Sequence, residues 1–364
     1  MNKSVQRKKR VLVAMSGGVD SSVCAGILKE QGYEVIGMTF KLWSGLDNKP
    51  FERACCSIDS VEDARRVSQI LDIPHYVVNY KKYFEKTVIA DFVSEYSQGR
   101  TPNPCVRCNE FIKFDSFLKK AKALEADYVA TGHYARISKN GHYELLRAHD
   151  PSKDQSYVLY VMNQHQLEHS LFPLGNLIKA DTREKARQLG LPVAEKKDSQ
   201  EICFVGDGKY SNFLSRYGIN AKNSGPILNS DGESLGTHKG IVNYTIGQRK
   251  GLQLLNAGTE RLYVTSINPE NSSITVGTKE QLSISSARVS RVNWIQDPTP
   301  KEPVRALVQT RYRGDEAVAT ITSLGQNEAT ILFDKPQCAV APGQAAVFYN
   351  GDNVLGGGTI QNTT

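Results

Sequence analysis

Long apolar runs are missing from this sequence. No segment approaches the roughly 18 apolar residues that a membrane-spanning helix needs, and the basic start MNKSVQRKKR leads into only the short run VLVAM before SGGVD. Such a run is too short for the apolar region of a signal peptide. The sequence therefore predicts a cytoplasmic protein that neither crosses a membrane nor is exported.

Cysteine is also scarce. The 364 residues include seven cysteines, an odd number that is spread thinly along the chain. Disulfide frameworks occur in shorter secreted chains with denser cysteines. The distribution therefore favours a reducing cytosol, where neighbouring cysteines more often serve catalysis or metal binding than structure.

The composition sets two further bounds. With 40% hydrophobic and 23% charged residues, the chain is typical of a globular protein of two or three domains. Its net charge is +7. A charge of this size permits an anionic partner such as a nucleic acid, but many proteins that bind none carry it.

Up to about residue 135, strand-like runs alternate with helical spacing. RVLVAMS is almost continuously apolar, as expected of a strand buried on both faces, and SSVCAGILKEQG has helical spacing that ends at Gly32. The alternation predicts an α/β fold with a parallel sheet covered by helices. Ser60 followed by Asp63 predicts a capping box at the start of a second helix. Short helices and loops are expected from about 140 to 205.

After about residue 210 the sequence changes to short strand-like runs separated by Gly, Pro, Asn and Asp. Runs such as ATILF and AAVFY are of strand length. We predict a small central domain over 209–284 and a C-terminal β-barrel or sandwich over 285–364, after a first domain that covers 1–208.

The string SGGVDSS, Ser16 to Ser22, follows the first predicted strand directly. Paired glycines let the backbone turn tightly, and the free N–H groups at a helix start attract anions, which predicts a phosphate-binding loop. It is not a Walker loop, because no Gly-Lys-Ser/Thr follows. The alternative is an ordinary turn with Asp20 or Ser21 as the helix cap. The string resembles the loop of enzymes that split ATP into AMP and pyrophosphate.

The cysteines of TPNPCVRCNE, Cys105 and Cys108, lack the second close pair of a four-ligand zinc site. Cys55 and Cys56 are adjacent, which is poor geometry for one tetrahedral ion. The segment is interpreted either as a rigid loop with incidental thiols or as a reactive pair. Cys203 alone would be a buried core thiol more often than a functional one.

Two remaining cysteines, Cys24 and Cys338, are interpreted as structural.

Eight strings, in the order in which they occur along the chain, resemble those of the tRNA-specific 2-thiouridylases, bacterial and organellar enzymes that replace the 2-oxygen of the wobble uridine with sulfur. The resemblance runs from about residue 10 to 360 and touches every predicted domain. The strings are SGGVDSS, TPNPCVRCN continuing to IKF, ATGHYAR, KDQSY, EICF, YTIGQRKGL, TRYR, and PGQAAVFYNG with LGGG.

The resemblance implies an adenine-nucleotide α-hydrolase-like first domain that uses ATP with Mg²⁺, a central domain that contacts tRNA, and a C-terminal β-barrel. It implies these nucleotide contacts: Ala14, Met15, Ser16, Gly17, Gly18, Val19, Asp20, Ser21, Phe40 and Gly132. It implies these tRNA contacts: Asn103, Pro104, Cys105, His133, Lys153, Asp154, Gln155, Arg311, Tyr312 and Gln344. A protein that donates or relays sulfur is the further partner that the family implies.

The family resemblance assigns Cys108 as the attacking thiol and Cys203 as the persulfide carrier. It implies that the two thiols are joined in a disulfide when the sulfur has been transferred. Many relatives have aspartate where this chain has Cys105. Two hypotheses follow. Cys105 lines the pocket of the target base, or Cys105, Cys108 and Cys203 together bind a [4Fe–4S] cluster. Two alternative functions remain. The chain is another ATP pyrophosphatase that acts on a small molecule, or it is a tRNA-binding protein without catalysis.

Overall fold

The chain folds into two units. In a computed structural model, which describes residues 7–43, 58–198, 202–205, 210–219, 223–254, 261–296, 299–325 and 327–363, the first unit comprises Met1–Thr87, Cys105–Gly206 and Asp352–Val354. The second comprises Val88–Pro104, Asp207–Gly351 and Leu355–Thr364. Cys55 and Cys56 lie outside the described residues.

The first unit is built on a five-stranded parallel sheet with the order β3-β2-β1-β4-β7. The strands of this unit are β1 Arg10–Ala14, β2 Glu34–Lys41, β3 His75–Asn79, β4 Tyr128–Ala130, β5 Arg136–Asn140, β6 His142–Leu146 and β7 Ser170–Leu171. Val11, Leu12 and Val13 of the central strand are completely buried, because helices cover both faces of the sheet. The predicted α/β class with a parallel sheet is confirmed.

The helices are α1 Val19–Glu30, α2 Ile58–Ile70, α3 Lys81–Phe84, α4 Ala90–Ser97, α5 Pro104–Cys108, α6 Phe117–Ala123, α7 Gln164–Glu168, α8 Lys179–Gln188 and α9 Tyr210–Ser215. Two segments of wider π-helical geometry, Glu85–Ile89 and Asn109–Ser116, connect α3 to α4 and α5 to α6. Helical backbone therefore continues without a break from residue 104 to residue 123. α1 ends as predicted, before Gly32 at φ +86°.

Two local predictions were wrong. Where short helices and loops were expected from about 140, β5 and β6 form an antiparallel hairpin that turns at Asn140 and Gly141, the latter at φ +74°. Asn-Gly between two strands is a strong hairpin signal. The capping box was also misplaced, because α2 begins at Ile58 and Ser60 lies inside its first turn.

The second unit contains two β structures. The central sheet has the order β10-β11-β8-β9, and a six-stranded barrel follows in which β12 pairs with both β15 and β17, so that the barrel closes. The strands are β8 Gly225–Leu228, β9 Ser234–His238, β10 Tyr263–Asn268, β11 Ser273–Gly277, β12 Ser283–Trp294, β13 Val304–Gln309, β14 Glu316–Gly325, β15 Glu328–Cys338, β16 Ala345–Asn350 and β17 Asn353–Thr363.

The predicted C-terminal β-barrel is confirmed, whereas the exact domain boundaries remain a prediction. The barrel interior is filled by small, branched and aromatic side chains such as Ala319, Ile321, Ile331 and Phe348, all fully buried. None of the helices in the described ranges is long and apolar enough to cross a membrane.

Candidate active site

The loop after β1 has a backbone that only glycine permits at one position. Gly17 adopts φ +70°, and a Cβ built there would lie 2.1 Å from the carbonyl oxygen of Ser60. A left-handed conformation and contact with neighbouring backbone both require glycine. Gly18 is the N-cap of α1 and provides no side-chain cap. The alternative with Asp20 or Ser21 as the cap is therefore wrong, and the first turn of α1 has the uncapped form suited to an anion.

Hydroxyl groups stabilise the shape of the loop. Ser21 Oγ accepts a hydrogen bond from the backbone N–H of Ser16 at 3.1 Å and lies 3.2 Å from the carbonyl oxygen of Gly18. Ser22 Oγ donates to the same carbonyl at 2.8 Å. Lys196 Nζ donates to the Gly17 carbonyl at 3.0 Å. These bonds fix the loop before any ligand arrives.

The carboxyl ends of neighbouring strands bring two further predicted nucleotide contacts toward the loop. A Cβ on Gly132, just after β4, would lie 2.7 Å from the backbone N of Ser21, so glycine allows the two backbones to approach closely. Phe40 near the end of β2 is buried, and its ring packs edge-to-face on Tyr80 and Phe117 with centroid distances of 5.4 and 5.1 Å. In parallel sheets, ligands bind beyond the carboxyl ends of strands such as these.

Asp20, in the first turn of α1, is bonded to groups that sequence analysis did not single out. Its Oδ1 accepts from Tyr134 Oη at 2.9 Å and from Lys179 Nζ at 2.7 Å. Lys179 Nζ also lies 2.8 Å from Asp198 Oδ1. The Lys179 side chain is only 13% exposed. An ammonium group in this environment requires anionic partners, and two carboxylates provide them.

Asp198 forms ion pairs with three cationic side chains. Besides Lys179, it pairs with Lys153 at 2.8 Å and with Arg183 at 3.2 Å. Partial burial raises the pKa of Asp198, but hydrogen bonds from Lys153 and Lys179 outweigh this effect and lower the pKa below its ordinary value. Asp198 is therefore ionised at neutral pH, and the cluster of Lys153, Lys179, Arg183, Asp20 and Asp198 carries more cations than carboxylates.

The two cysteines of TPNPCVRCNE lie on a helix, which corrects the interpretation of this segment as a rigid loop. Pro104 is the first residue of α5, a position that suits proline because the N–H there needs no helical partner. Cys105 is exposed and Cys108 is partly buried. Residues three apart lie on the same face of a helix, so both thiols project from one side of α5.

Cys203 lies in the same unit as Cys108, in a short turn next to the fully packed Phe204. Phe204 is 1% exposed and packs against Phe84 at a centroid distance of 5.6 Å. Cys203 itself is only partly buried, so the buried core residue of this turn is the phenylalanine and not the thiol. Cys24, by contrast, is completely buried in α1, as its structural interpretation predicts, and burial raises the pKa of its thiol.

His133 is a nearly buried neutral histidine. Its Nδ1 lies 2.7 Å from Thr131 Oγ1, and its Nε2 lies 3.3 Å from Lys113 Nζ. Because an ammonium group can only donate, Nε2 is the acceptor and the proton belongs on Nδ1. Burial, and secondarily the charge of Lys113, lower the pKa of His133 well below its ordinary value. The ring is 7% exposed.

The predicted tRNA residues Lys153, Asp154 and Gln155 differ in their surroundings. Gln155 pairs with the backbone of Tyr134, accepting from its N–H at 3.0 Å through Oε1 and donating to its carbonyl at 2.9 Å. Asp154 accepts from the backbone N–H of Ala148 at 2.9 Å. These two side chains shape the segment from within. Of the three, Lys153 is the one that belongs to the cation cluster, through its ion pair with Asp198.

In the second unit, Arg311 and Tyr312 lie at the exposed turn between β13 and β14, and their contact with tRNA stays a prediction. Tyr312 is 40% exposed, and the guanidinium of Arg313 lies 5.3 Å from the centre of its ring. The turn is closed by a hydrogen bond of 3.0 Å from the N–H of Gly314 to the carbonyl of Arg311. The arrangement presents two cations and an aromatic ring on one surface.

Gln344 contacts the segment that leads to Asn103 and Pro104. Its Nε2 donates to the carbonyl of Thr101 at 2.7 Å, and the N–H of Thr101 donates to Pro342 O at 2.8 Å. Both partners belong to the second unit. This contact places Gln344 beside the predicted target-base segment.

Comparison with known proteins decides the family. Three family models match, described as a tRNA methyl transferase HUP domain over residues 9–207, a tRNA methyl transferase PRC-barrel domain over 211–278 and an aminomethyltransferase beta-barrel domain over 285–360. A tRNA-specific 2-thiouridylase MnmA of Halothermothrix orenii is 48% identical over 97% of this chain and 99% of its own length. That of Clostridioides difficile is 46% identical over 98% and 99%. The chain belongs to the tRNA-specific 2-thiouridylase family.

The family resemblance drawn from the eight strings is thereby confirmed. The family models carry a methyl transferase description, whereas the full-length relatives, including one of Geotalea uraniireducens at 47% identity over 98% of this chain and 96% of its own, are named thiouridylases. We follow the full-length relatives, because they match all three parts of the chain together.

Likeness to solved structures is weak and carries no argument. NMN synthetase from Francisella tularensis matches 52% of this chain and 66% of its own at a TM-score of 0.34 and 16% identity. A 4-thiouridine synthetase in complex with RNA and bound ATP matches 57% of this chain and 50% of its own at a TM-score of 0.37 and 15% identity.

Sequence analysis of this thiouridylase-family chain missed Lys179, Arg183 and Asp198. Lys179 lies 159 positions from Asp20 along the chain, so no local pattern connects them. The string DTREKARQLGL predicted a helix, which is α8, but did not indicate a functional residue. Only the packing of α8 against α1 brings the lysine to the loop.

Proposed function

We propose that this protein is an ATP-dependent tRNA-uridine 2-sulfurtransferase that thiolates the wobble uridine of the lysine, glutamate and glutamine acceptor tRNAs. The observation that carries the proposal is the combination of an uncapped glycine loop at Gly17 and Gly18 with Cys108 and Cys203 in one unit. Full-length similarity to enzymes named 2-thiouridylases supports the same reaction. The proposed nucleotide and tRNA contacts are those that the family resemblance implies.

The first step activates the uridine oxygen. The 2-oxygen of the base forms a bond to the α-phosphorus of ATP, and the bond from that phosphorus to the bridging oxygen breaks. The electron pair leaves with pyrophosphate, and the N3 proton of the uracil leaves to water. Oxygen bound as part of AMP is a far better leaving group than oxide. The loop binds the phosphates through the N–H groups from Gly17 to Ser21, since those of Ser16 and Ser22 donate to Ser21 Oγ and the Gly18 carbonyl.

The site offers a ligand of the type that Mg²⁺ binds. The carboxylate of Asp20, 32% exposed, is the type of oxygen ligand that Mg²⁺ prefers. When bound with ATP, the ion supplies positive charge against the phosphate oxygens. The loop backbone orients the phosphates, while the hydroxyl groups of Ser16 and Ser21 hold the loop in shape.

The second step transfers sulfur between two thiols. The thiolate of Cys108 attacks the inner sulfur of a persulfide on Cys203, the sulfur–sulfur bond of the persulfide breaks, and hydrosulfide leaves. Hydrosulfide adds to C2 of the adenylated base, AMP departs and a proton is released. The disulfide between Cys108 and Cys203 that remains is reduced by an external thiol before the next turnover. A sulfur-relay protein reloads Cys203.

The role of Cys105 distinguishes two versions of this step. As an exposed residue of α5, Cys105 can line the pocket of the target base with Asn103 and Pro104. Alternatively, Cys105, Cys108 and Cys203 bind a [4Fe–4S] cluster, and three thiols are a donor set of the right kind. Such a cluster would supply iron-bound sulfide for the transfer. We favour the persulfide version.

The proposal is tested by incubating the protein with ATP, a sulfur donor and unmodified tRNA, followed by electrophoresis in a mercury-containing gel that retards thiolated RNA. Retarded tRNA that depends on ATP is the expected result. Folded protein that gives no retarded tRNA with any donor would contradict the function. A small-molecule adenylating enzyme or a tRNA-binding protein without catalysis would then remain.

Iron and acid-labile sulfide per chain, measured on protein purified without oxygen, separate the two versions. Active protein without iron supports the persulfide step. About four irons per chain, lost together with activity in Cys105→Ser, would establish the cluster instead.

A further inference from the structure

We infer that Lys179 is a catalytic residue that binds the pyrophosphate portion of ATP. This inference rests on the proposed function and adds a residue that neither the loop motif nor the predicted contacts contain. Lys179 comes from α8, yet its Nζ reaches the first turn of α1 and lies 2.7 Å from Asp20 Oδ1. The ammonium group therefore lies next to the loop that is built for phosphate.

Burial makes the position of this charge informative. Lys179 is 13% exposed, its Nζ also bonds to Asp198 at 2.8 Å, and it lies 5.8 Å from the ring centre of Tyr134. An ammonium group removed from water needs anionic partners. Phosphate oxygens can replace the Asp20 carboxylate as such a partner without a second desolvation of the lysine. The site thus favours exchange of one anion for another.

The surrounding charges favour the same exchange. Among the described residues of this cluster, Lys153 and Arg183 share Asp198 with Lys179, so three cations face the two carboxylates of Asp20 and Asp198. These cations and the positive end of the helix dipole attract a polyanion, and the carboxylate of Asp150, which accepts from the backbone N–H of Lys179 at 3.1 Å, offsets only part of their charge. Most of the negative charge of ATP lies on its two terminal phosphates.

The reaction needs a cation at that place. When the bond between the α-phosphorus and the bridging oxygen breaks, negative charge accumulates on the departing pyrophosphate. A positioned ammonium group stabilises this charge more in the transition state than in the ground state, which is the condition for catalysis. Lys179, whose Asp198 partner keeps it oriented, meets that condition.

A purely structural role for Lys179, joining α8 to α1, is the competing explanation. The same two helices are already joined by Lys185 and Glu30, whose charged atoms lie 2.7 Å apart. Lys185 is thus a matched control: it is a lysine of α8 that pairs with an acidic residue of α1 and is absent from the cation cluster.

The test compares equilibrium affinities for ATP and for AMP in wild type, Lys179→Met and Lys185→Met, with thermal unfolding midpoints measured on the same samples. Lys179→Met should weaken ATP binding by about 10- to 100-fold, the range of a lost charged hydrogen bond, and leave AMP binding within about twofold because AMP lacks the two terminal phosphates. Lys185→Met should change neither affinity.

Should Lys179→Met fail to fold, Lys179→Gln serves instead, since its amide still donates to Asp20 but carries no charge. Unchanged ATP affinity, or an equal loss for ATP and AMP, would overturn the inference. These measurements contain no tRNA and no sulfur donor. Their failure is therefore separate from a failure of thiolation in the mercury gel.

Discussion

The two units present their functional groups in opposite ways. In the first, the glycine loop, Asp20 and Lys179 are fixed by backbone contacts and by ion pairs that are largely withdrawn from water. In the second, Arg311 and Tyr312 lie at an exposed turn of the barrel. The comparison teaches that the proposed nucleotide site is a preorganised interior, whereas the proposed RNA contacts are a few side chains exposed to solvent.

The largest effect is expected at the thiol that is proposed to carry sulfur. Cys203→Ser should abolish thiolation, because a hydroxyl cannot carry a persulfide, and should leave AMP formation partly intact. AMP release and mercury-gel retardation measured on one sample separate the two steps. Cys338→Ser, an exposed thiol of the barrel, is the control and should thiolate normally. Loss of adenylation together with thiolation in Cys203→Ser would indicate a structural role for Cys203.

The next effect concerns the loop backbone. Gly17→Ala places a Cβ 2.1 Å from Ser60 O in addition to the strain of φ +70°, so ATP binding should fall by about 100-fold or more as the loop moves. The control is Gly32→Ala, where φ is +86° but no atom lies within 4 Å of the added Cβ. That variant should lose only about 1 kcal/mol of stability and keep its affinity for ATP. Equal ATP affinities in the two variants would show that backbone contact at the loop is unimportant.

A smaller effect is expected on the exposed surface. Tyr312→Ala should weaken tRNA binding by about 5- to 100-fold, the range for loss of one stacked base, and leave ATP binding unchanged. Arg305→Ala, an exposed arginine of the same barrel that pairs with Asp334 at 2.6 Å, is the control. Filter-binding titrations at two salt concentrations measure both. If the two variants bind tRNA equally well, the turn at Arg311 is not an RNA contact.

The smallest effect is a pH dependence of stability. The pKa of His133 is lowered in the folded protein, so below about pH 6.5 the unfolded chain binds a proton that the folded chain refuses. Stability is complete above that pH and falls as the pH drops, by at most about 1.4 kcal/mol per pH unit.

Urea unfolding of wild type and His133→Gln between pH 7.5 and 5.5 measures this slope. The glutamine variant should lose part of it, whereas His142→Gln, whose side chain is 41% exposed, should keep it. Identical slopes in wild type and His133→Gln would mean that the ring accepts a proton in place.

The same contrast explains what the sequence could predict. Continuous apolar runs and a glycine string are local signals, and they located the parallel sheet and the loop correctly. The start of α5 at Pro104 was missed because a string with two prolines and two cysteines is typical of loops as well. Lys179 could not be found, since its importance comes from a contact with Asp20 across 159 positions of chain, and Asp198 gains its importance only as an ion-pair partner of Lys179.

The π-helical segment Asn109–Ser116 has a consequence for how this chain can vary. It directly follows Cys108, and α6 continues from it with Phe117, whose side chain is fully buried. An α-helix advances by about 100° per residue, so deleting one residue to restore ordinary geometry would rotate the thiols relative to Phe117 by about that angle. The length of this segment therefore sets the orientation of the two thiols relative to Phe117. Insertions or deletions here should be tolerated far less than substitutions.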